Sequence, residues 1–146
     1  MAETYRYSLM ILEHHLDTFG HVNNAKFFEI FEEARWDQIT SNGYGVDEVI
    51  RSGVGPVVLE AHVKFRKEVR LREKISVTSQ WTRKSSKLTS AHQEIRNSKE
   101  ELCAAADFTF GLFDTQRRKL VRVSEKWLHA VGIIENSISA LRRNTV

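Results

Sequence analysis

Cysteine and proline are almost absent from this chain: Cys103 and Pro56 each stand alone among 146 residues. A lone cysteine rules out an intrachain disulfide framework and a cysteine-built zinc cage. Long apolar runs are missing too, and none approaches the ~18 residues of a membrane-spanning helix. The opening Met1-Ala2-Glu3-Thr4-Tyr5-Arg6 lacks the basic-then-apolar layout of a secretory signal. The expected setting is therefore the cytoplasm, with no membrane contact. Repeats, low-complexity stretches and linkers are also lacking, so this length fits one domain. Residues 1–134 read as that domain and 135–146 as a polar C-terminal tail.

The net charge of +3 hides an uneven distribution. Residues 1–60 hold four basic and ten acidic side chains, whereas 61–146 hold eighteen and nine. Such a basic half can be a set of solvated strand faces, or can meet a polyanion such as nucleic acid, an acidic membrane or a phosphorylated small molecule. No recognised nucleic-acid motif accompanies it, so nucleic acid is not an expected partner.

Hydropathy patterning gives the element order. Tyr5 to Leu12 reads as a first strand, and the polar stretch Glu13 to Val22 as a loop. Asn23 or Asn24 can cap a helix of about 18 residues. Phe27, Phe28, Ile30, Phe31 and Ala34 recur on it at helical spacing. Glu29, Glu32, Glu33 and Asp37 fall on its other side, solvated or paired with Arg35, and Asn42-Gly43 ends it. Val46 to Ser52 is a candidate short helix. Val57, Leu59, Ala61, Val63 and Phe65 then alternate with polar neighbours, predicting a long strand with one buried face. Ile75 to Trp81, a weaker Lys87 to Arg96, a regular Leu102 to Leu112 and a short Leu120 to Val123 follow. Glu125 to Val131 fits a helical turn. Hairpin-length connections make the sheet mainly antiparallel, with the long helix on one face: a two-layer α+β domain. One helix cannot close such a sheet, and free strand edges favour a homo-oligomer, most simply a two-fold dimer.

Chemistry concentrates in His14-His15-Leu16-Asp17-Thr18-Phe19-Gly20-His21-Val22-Asn23-Asn24. Gly20 permits a sharp bend. A helix start offers unpaired N–H groups and partial positive charge, where a carbonyl oxygen gaining negative charge is stabilised. A nearby carboxylate can attack that carbonyl or deprotonate a water. Asp17 beside a helix start is thus a minimal acyl-transfer site. The plainer reading is that Asp17 caps a turn and Asn23 caps the helix. His14, His15 and His21 lack the carboxylate arrangement of a metal site, so no metal is expected. Cys103, between Leu102 and Ala104, reads as core.

Two stretches carry a resemblance. Asp17 to Phe27, followed by Phe31-Glu32-Glu33-Ala34-Arg35-Trp36, resembles the D-x-x-G-H-V-N-N-x-x-Y…F-E-E-A-R signature of the 4-hydroxybenzoyl-CoA thioesterase-like branch of the hotdog-fold acyl-CoA thioesterases. Trp81-Thr82-Arg83-Lys84-Ser85 is similar to a W-x-R-K-S stretch of that family, and the element order agrees over residues ~5–130. The resemblance implies a hotdog fold, a long central helix wrapped by a five- or six-stranded antiparallel sheet. It implies dimers, often through sheet edges, and dimers of dimers. It implies hydrolysis of an acyl-CoA thioester to free acid and CoA, with no cofactor. By position, Asp17 corresponds to the catalytic carboxylate. Asn24 corresponds to the residue whose N–H polarises the thioester carbonyl, and Gly20 and His21 shape the loop around the acyl group. Arg83 and Lys84, with Ser85 in the same stretch, correspond to positions that meet the CoA phosphates. Two departures stand out: Phe27 replaces a frequent Tyr, altering pocket polarity, and His15 replaces a frequent Asp. Some hotdog enzymes use a glutamate on the long helix, which leaves Glu29, Glu32 and Glu33 as alternatives. His62, on the polar face of its strand, is a candidate pocket residue. The competing readings are a binding module that holds acyl thioesters without cleaving them, and a thioesterase for acyl carrier protein docked through Arg83-Lys84.

Overall fold

The structure is a computed structural model that describes residues 3–134; the polar tail expected at 135–146 lies outside them. Its elements run β1 (Thr4–Met10), α1 (Asn24–Ser41), α2 (Val46–Ser52), β2 (Val54–Phe65), β3 (Lys74–Arg83), β4 (Leu88–Arg96), β5 (Leu102–Asp114), β6 (Lys119–Val121) and α3 (Glu125–Ala130). The six strands form one antiparallel sheet in the order β1-β3-β4-β5-β2, and β6 pairs with the end of β5. This is the expected α+β hotdog architecture.

α1 starts where the caps predict. The Asn23 side chain accepts the Ala25 N–H, and Asn42 closes the last turn. Phe27, Ile30, Phe31, Ala34, Gln38 and Ile39 are buried at helical spacing. They meet Trp81, Phe108 and Phe110 from the sheet, with Phe31 and Phe108 in edge contact and Trp127 of α3 packed on Trp81. Each such side chain contributes about 2 kcal/mol by leaving water. Phe28 departs from the expected core set: it lies on the helix flank, 41% exposed. Polar groups inside are bonded. Trp81 Nε1 donates to Gln38 Oε1, and Gln93 Nε2 donates to the Phe31 carbonyl. On the opposite flank, the Tyr5 and Tyr7 hydroxyls of β1 donate to Asp37 and Glu33.

Two expectations are corrected, the end of β1 and the buried face of β2, and the weak pattern of β4 is explained. β1 ends at Met10, because Leu12 begins a single 3-10 turn over Glu13–His15 inside the expected loop. β4 looked weak because its inward positions include Thr89 and Gln93, which are buried and bonded rather than apolar. β2 lacks the single buried face that its alternation suggested. It is an edge strand, and Leu59 is an extra residue between the pairs Val58–Phe110 and Glu60–Thr109. This bulge resets the alternation. Pro56 and Val58 join Ala61, Val63 and Phe65 on the helix side, while Leu59 turns outward beside Gly111. Val58, Leu59 and Phe65 remain 46–48% exposed.

Candidate active site

The segment before α1 folds back on itself. Leu16 bridges Val22, the Asp17 N–H donates to the His21 carbonyl (2.8 Å) and the Asn23 N–H donates to the His15 carbonyl (2.9 Å). The turn at its tip closes with the Gly20 N–H on the Asp17 carbonyl. Gly20 has φ +78°, and an added Cβ there would meet nothing within 4 Å. The backbone conformation, rather than space, calls for glycine. A neighbouring loop pins the segment: the Val22 N–H donates to the Val69 carbonyl, and His21 Nε2 lies 2.9 Å from Glu68.

Asp17 is half-buried. Its Oδ1 accepts the N–H groups of Phe19 (2.8 Å) and His21 (3.2 Å). Asp17 therefore does cap its turn, as the plainer reading holds, but that role uses one oxygen. Oδ2 has no hydrogen-bond partner among the described residues. Three residues beyond His21, α1 begins. Asn23 occupies the N–H groups of Ala25, Lys26 and Phe27 through its side chain and carbonyl. The Asn24 N–H has no acceptor among the described residues, and no acidic side chain offsets the first turn. The site thus joins an unclaimed carboxylate oxygen and an unclaimed N–H at the positive end of an 18-residue helix.

Its supports were less visible in sequence. His15 is buried; its Nδ1 accepts the Leu12 N–H (2.9 Å), and its ring lies 4.0 Å from that of His14. Burial, with His14 alongside, pushes its pKa down. His15 acts as a neutral brace for the loop. Phe27 is buried beneath the helix start against Phe65, their centroids 5.4 Å apart. Among the described residues, no group of three or more His, Cys, Asp or Glu side chains is arranged to hold a metal.

A second cluster lies on the outer sheet face. His62 and Lys84 line an open depression of about 400 Å³ with Glu60, Ser90, Asp107 and Thr109. Arg83 and Ser85 are not among its lining; they lie at the β3–β4 hairpin, where Arg83 pairs with the inward-facing Thr89 and its Nε donates to the Ser85 carbonyl. Asp107 pairs in register with His62 and His92, and His92 Nδ1 lies 2.8 Å from its carboxylate. A single chain does not bring the two clusters together. Phe65, beside the helix start, pairs with Ala104, whereas Arg83 reaches Phe110 through Thr89. Six residues of β5 separate these rows, about 20 Å.

The helix carboxylates are otherwise engaged. Glu29 pairs with Lys26, Glu33 takes the Tyr7 hydroxyl, and Glu32 lines a small cavity. The expected pairing with Arg35 is absent: Arg35 is buried over the Phe108 and Phe110 rings, with no ion pair among the described residues. Its signal in the sequence was a lone cation between the apolar positions Phe31, Ala34 and Ile39. Cys103 is fully buried, as expected for core, and burial pushes its thiol pKa up.

Residues 11–131 match the thioesterase-like superfamily. The chain belongs to that superfamily. A long-chain acyl-CoA thioesterase of Escherichia coli, FadM, is 31% identical over 107 residues, which are 73% of this chain and 80% of that protein. An acyl-acyl carrier protein thioesterase from Arabidopsis thaliana, ATL3, is 34% identical over 77 residues, 53% of this chain and 40% of that protein. A 1,4-dihydroxy-2-naphthoyl-CoA thioesterase from Synechocystis shares the fold with a TM-score of 0.82 at 19% identity, over 88% of this chain and 96% of that one. This superfamily member is accordingly classed with thioester hydrolases, and among its described residues no helix is long and apolar enough to cross a membrane.

Proposed function

We propose that the chain is an acyl-CoA thioesterase that uses Asp17 against a thioester carbonyl held at the start of α1. The observation that carries this reading is the free Asp17 Oδ2 close in the chain to the unclaimed Asn24 N–H. A carbonyl oxygen accepting from that N–H gains negative charge where the helix end favours it. Oδ2 then attacks the carbonyl carbon, the C–S bond breaks and CoA leaves as a thiolate that takes a proton from water. Water hydrolyses the resulting mixed anhydride and restores Asp17. In the alternative route Oδ2 takes a proton from the attacking water and no anhydride forms. His21 and Gly20 hold the loop, with the His21 N–H orienting Asp17. Single-turnover hydrolysis in ¹⁸O-water bears on the routes: label in the Asp17 carboxylate supports the nucleophile, and label only in the product acid supports the base or water attack at the acyl carbon of the anhydride.

The reading includes a homodimer built on the β2 edge. Val58, Phe65 and Phe28 form an exposed apolar strip beside unpaired strand groups, a surface that calls for cover. A two-fold axis running antiparallel through β2 reverses the second sheet. The β3–β4 hairpin of the second copy then comes to the end of the sheet that carries this chain's helix tip. Arg83 and Lys84 hairpins would thereby reach CoA phosphates across the interface, and pairing of dimers gives a tetramer. His62 and Ser85 accompany them as substrate-binding residues.

Thiol release across short, long and aromatic acyl-CoAs tests the proposal. The Asp17→Asn variant is expected to lose about 10²–10⁴-fold in turnover while still binding acyl-CoA. Undiminished turnover in that variant rejects Asp17, and binding without turnover by the native chain shows a binding module. A second reading, acyl carrier protein as the thiol carrier, is favoured by the ATL3 likeness and the Arg83-Lys84 hairpin. Faster release from acyl carrier protein than from CoA at equal acyl group selects it.

A further inference from the structure

Exposed apolar side chains follow α1 beside β2 as far as a small cavity lined by a buried cation. At the helix start the Phe27 and Phe65 rings meet. One residue further on, Phe28 reaches Phe108, which pairs with Ala61. Beyond them Phe110 pairs with Val58. Phe28, Phe65 and Val58 are 41–48% exposed, so an apolar strip extends from the helix tip down the flank. It ends in a cavity of about 110 Å³ walled by Trp36, Ile39, Pro56 and Val58. Arg35 and Glu32 are the polar residues that line it.

Arg35 is 6% exposed. Its guanidinium lies 4.4 Å from the Phe108 centroid and 5.0 Å from that of Phe110. One donor is taken by Gln93 Oε1 at 3.0 Å. A guanidinium has about five N–H donors, and the bond to Gln93 is the one that the Arg35 guanidinium makes to another described residue. Burial lowers its pKa to about 10, which leaves it charged at neutral pH. Glu32, one turn earlier, attracts it from beyond ion-pair distance. A cation and an acceptor thus stand across a small space at the end of an apolar path. A neutral group that both donates and accepts fits them, since a carboxylate would set a second negative charge beside Glu32.

We propose that this cavity is a specificity subsite for a hydroxyl at the far end of the acyl chain, which accepts from Arg35 and donates to Glu32. The inference rests on the thioesterase reading and deepens it. Arg35 lies eleven residues beyond Asn24, about 16 Å along the helix, and its side chain leans back toward the helix start by up to about a turn. At about 1.2 Å per bond of extended chain, that span corresponds to an acyl group of about ten to twelve carbons. Arg35 and Glu32 are specificity residues here and take no part in breaking the C–S bond.

The test compares 12-hydroxydodecanoyl-CoA, dodecanoyl-CoA and dodecanedioyl-CoA. A site built to bond a hydroxyl disfavours the analogue that lacks it, so kcat/KM for the hydroxy thioester should exceed that for dodecanoyl-CoA by about tenfold or more. Glu32→Leu and Arg35→Met should each bring that ratio toward one. Glu32 is exposed, so its variant keeps the test valid if loss of Arg35 prevents folding. The ratio within each variant is also insensitive to a general loss of active protein. Hydrolysis of both thioesters at equal rates, or a ratio unchanged in both variants, overturns the inference and leaves the thioesterase reading standing. A preference for the dicarboxylic thioester overturns the hydroxyl assignment. Failure to cleave any acyl-CoA of any length overturns the thioesterase reading and the inference with it.

Discussion

Asp17 shows how one side chain can hold a turn with one carboxylate oxygen and leave the other unbonded among the described residues. Phe19 and His21 fix Oδ1, so the direction of Oδ2 is set by backbone geometry rather than by a mobile rotamer. Gly20 makes that geometry possible. Gly20→Ala should cost about 1–2 kcal/mol, the strain of a positive φ with a Cβ, read as a lower melting temperature, and should slow thioester cleavage by misdirecting Asp17. His15 supplies a pH test. Buried and neutral in the fold, it takes up a proton more readily once unfolded, near its ordinary pKa of about 6.5. Its contribution to stability is therefore present above about pH 6.5 and drains away as pH falls below it. His92 works in the opposite sense: although burial opposes it, the Asp107 and Glu94 hydrogen bonds raise its pKa. The informative comparison is thus between variants. His15→Asn, which can still accept the Leu12 N–H, should show a smaller drop in melting temperature than the native chain from about pH 7.5 to about pH 5.5. The placement of Asp17, Gly20 and Asn24 by a helix start was legible because that spacing is local. The roles of His15, Arg35 and Glu68 were not, because each depends on a neighbour distant in sequence or on burial.

At the level of elements, α1 was legible throughout: cap, apolar spacing and stop signal all agree with its observed ends. Asn23→Ala should remove about 1 kcal/mol, a fall of about 2–4 °C in melting temperature for a domain of this size. The same change frees the Ala25 N–H and loosens the helix start, so turnover should fall together with stability. A variant that melts lower yet cleaves at the native rate would separate the helix start from the chemistry. Strands were legible where they alternate cleanly, as in β5. β2 misled because pattern alone cannot reveal an extra residue or an edge position. β4 was placed to within one residue, its signal weakened because bonded Thr89 and Gln93 occupy inward sites that an apolar count overlooks.

For the whole molecule, the sheet edge at β2 is the feature that a single chain leaves unfinished. Val58→Lys puts a charge on the strip where two copies are expected to meet. It should shift sedimentation from dimer or larger to monomer and reduce in step the cleavage of acyl-CoAs too short to reach the Arg35 cavity that Val58 walls, because each helix tip would lose its neighbour's basic hairpin. Full activity in a demonstrated monomer would show that one chain suffices. The Leu59 bulge has a consequence for how this edge can change over generations. Loss of that single residue would leave Val58 opposite Phe110 and Glu60 opposite Thr109, so the side chains from Val54 to Val58 would keep their faces and the wall of the Arg35 cavity would stay in place. A deletion of one residue is therefore absorbed at the bulge, whereas an insertion of one residue exchanges inner for outer side chains on one side of it, and parity decides which half of the strand a second molecule encounters.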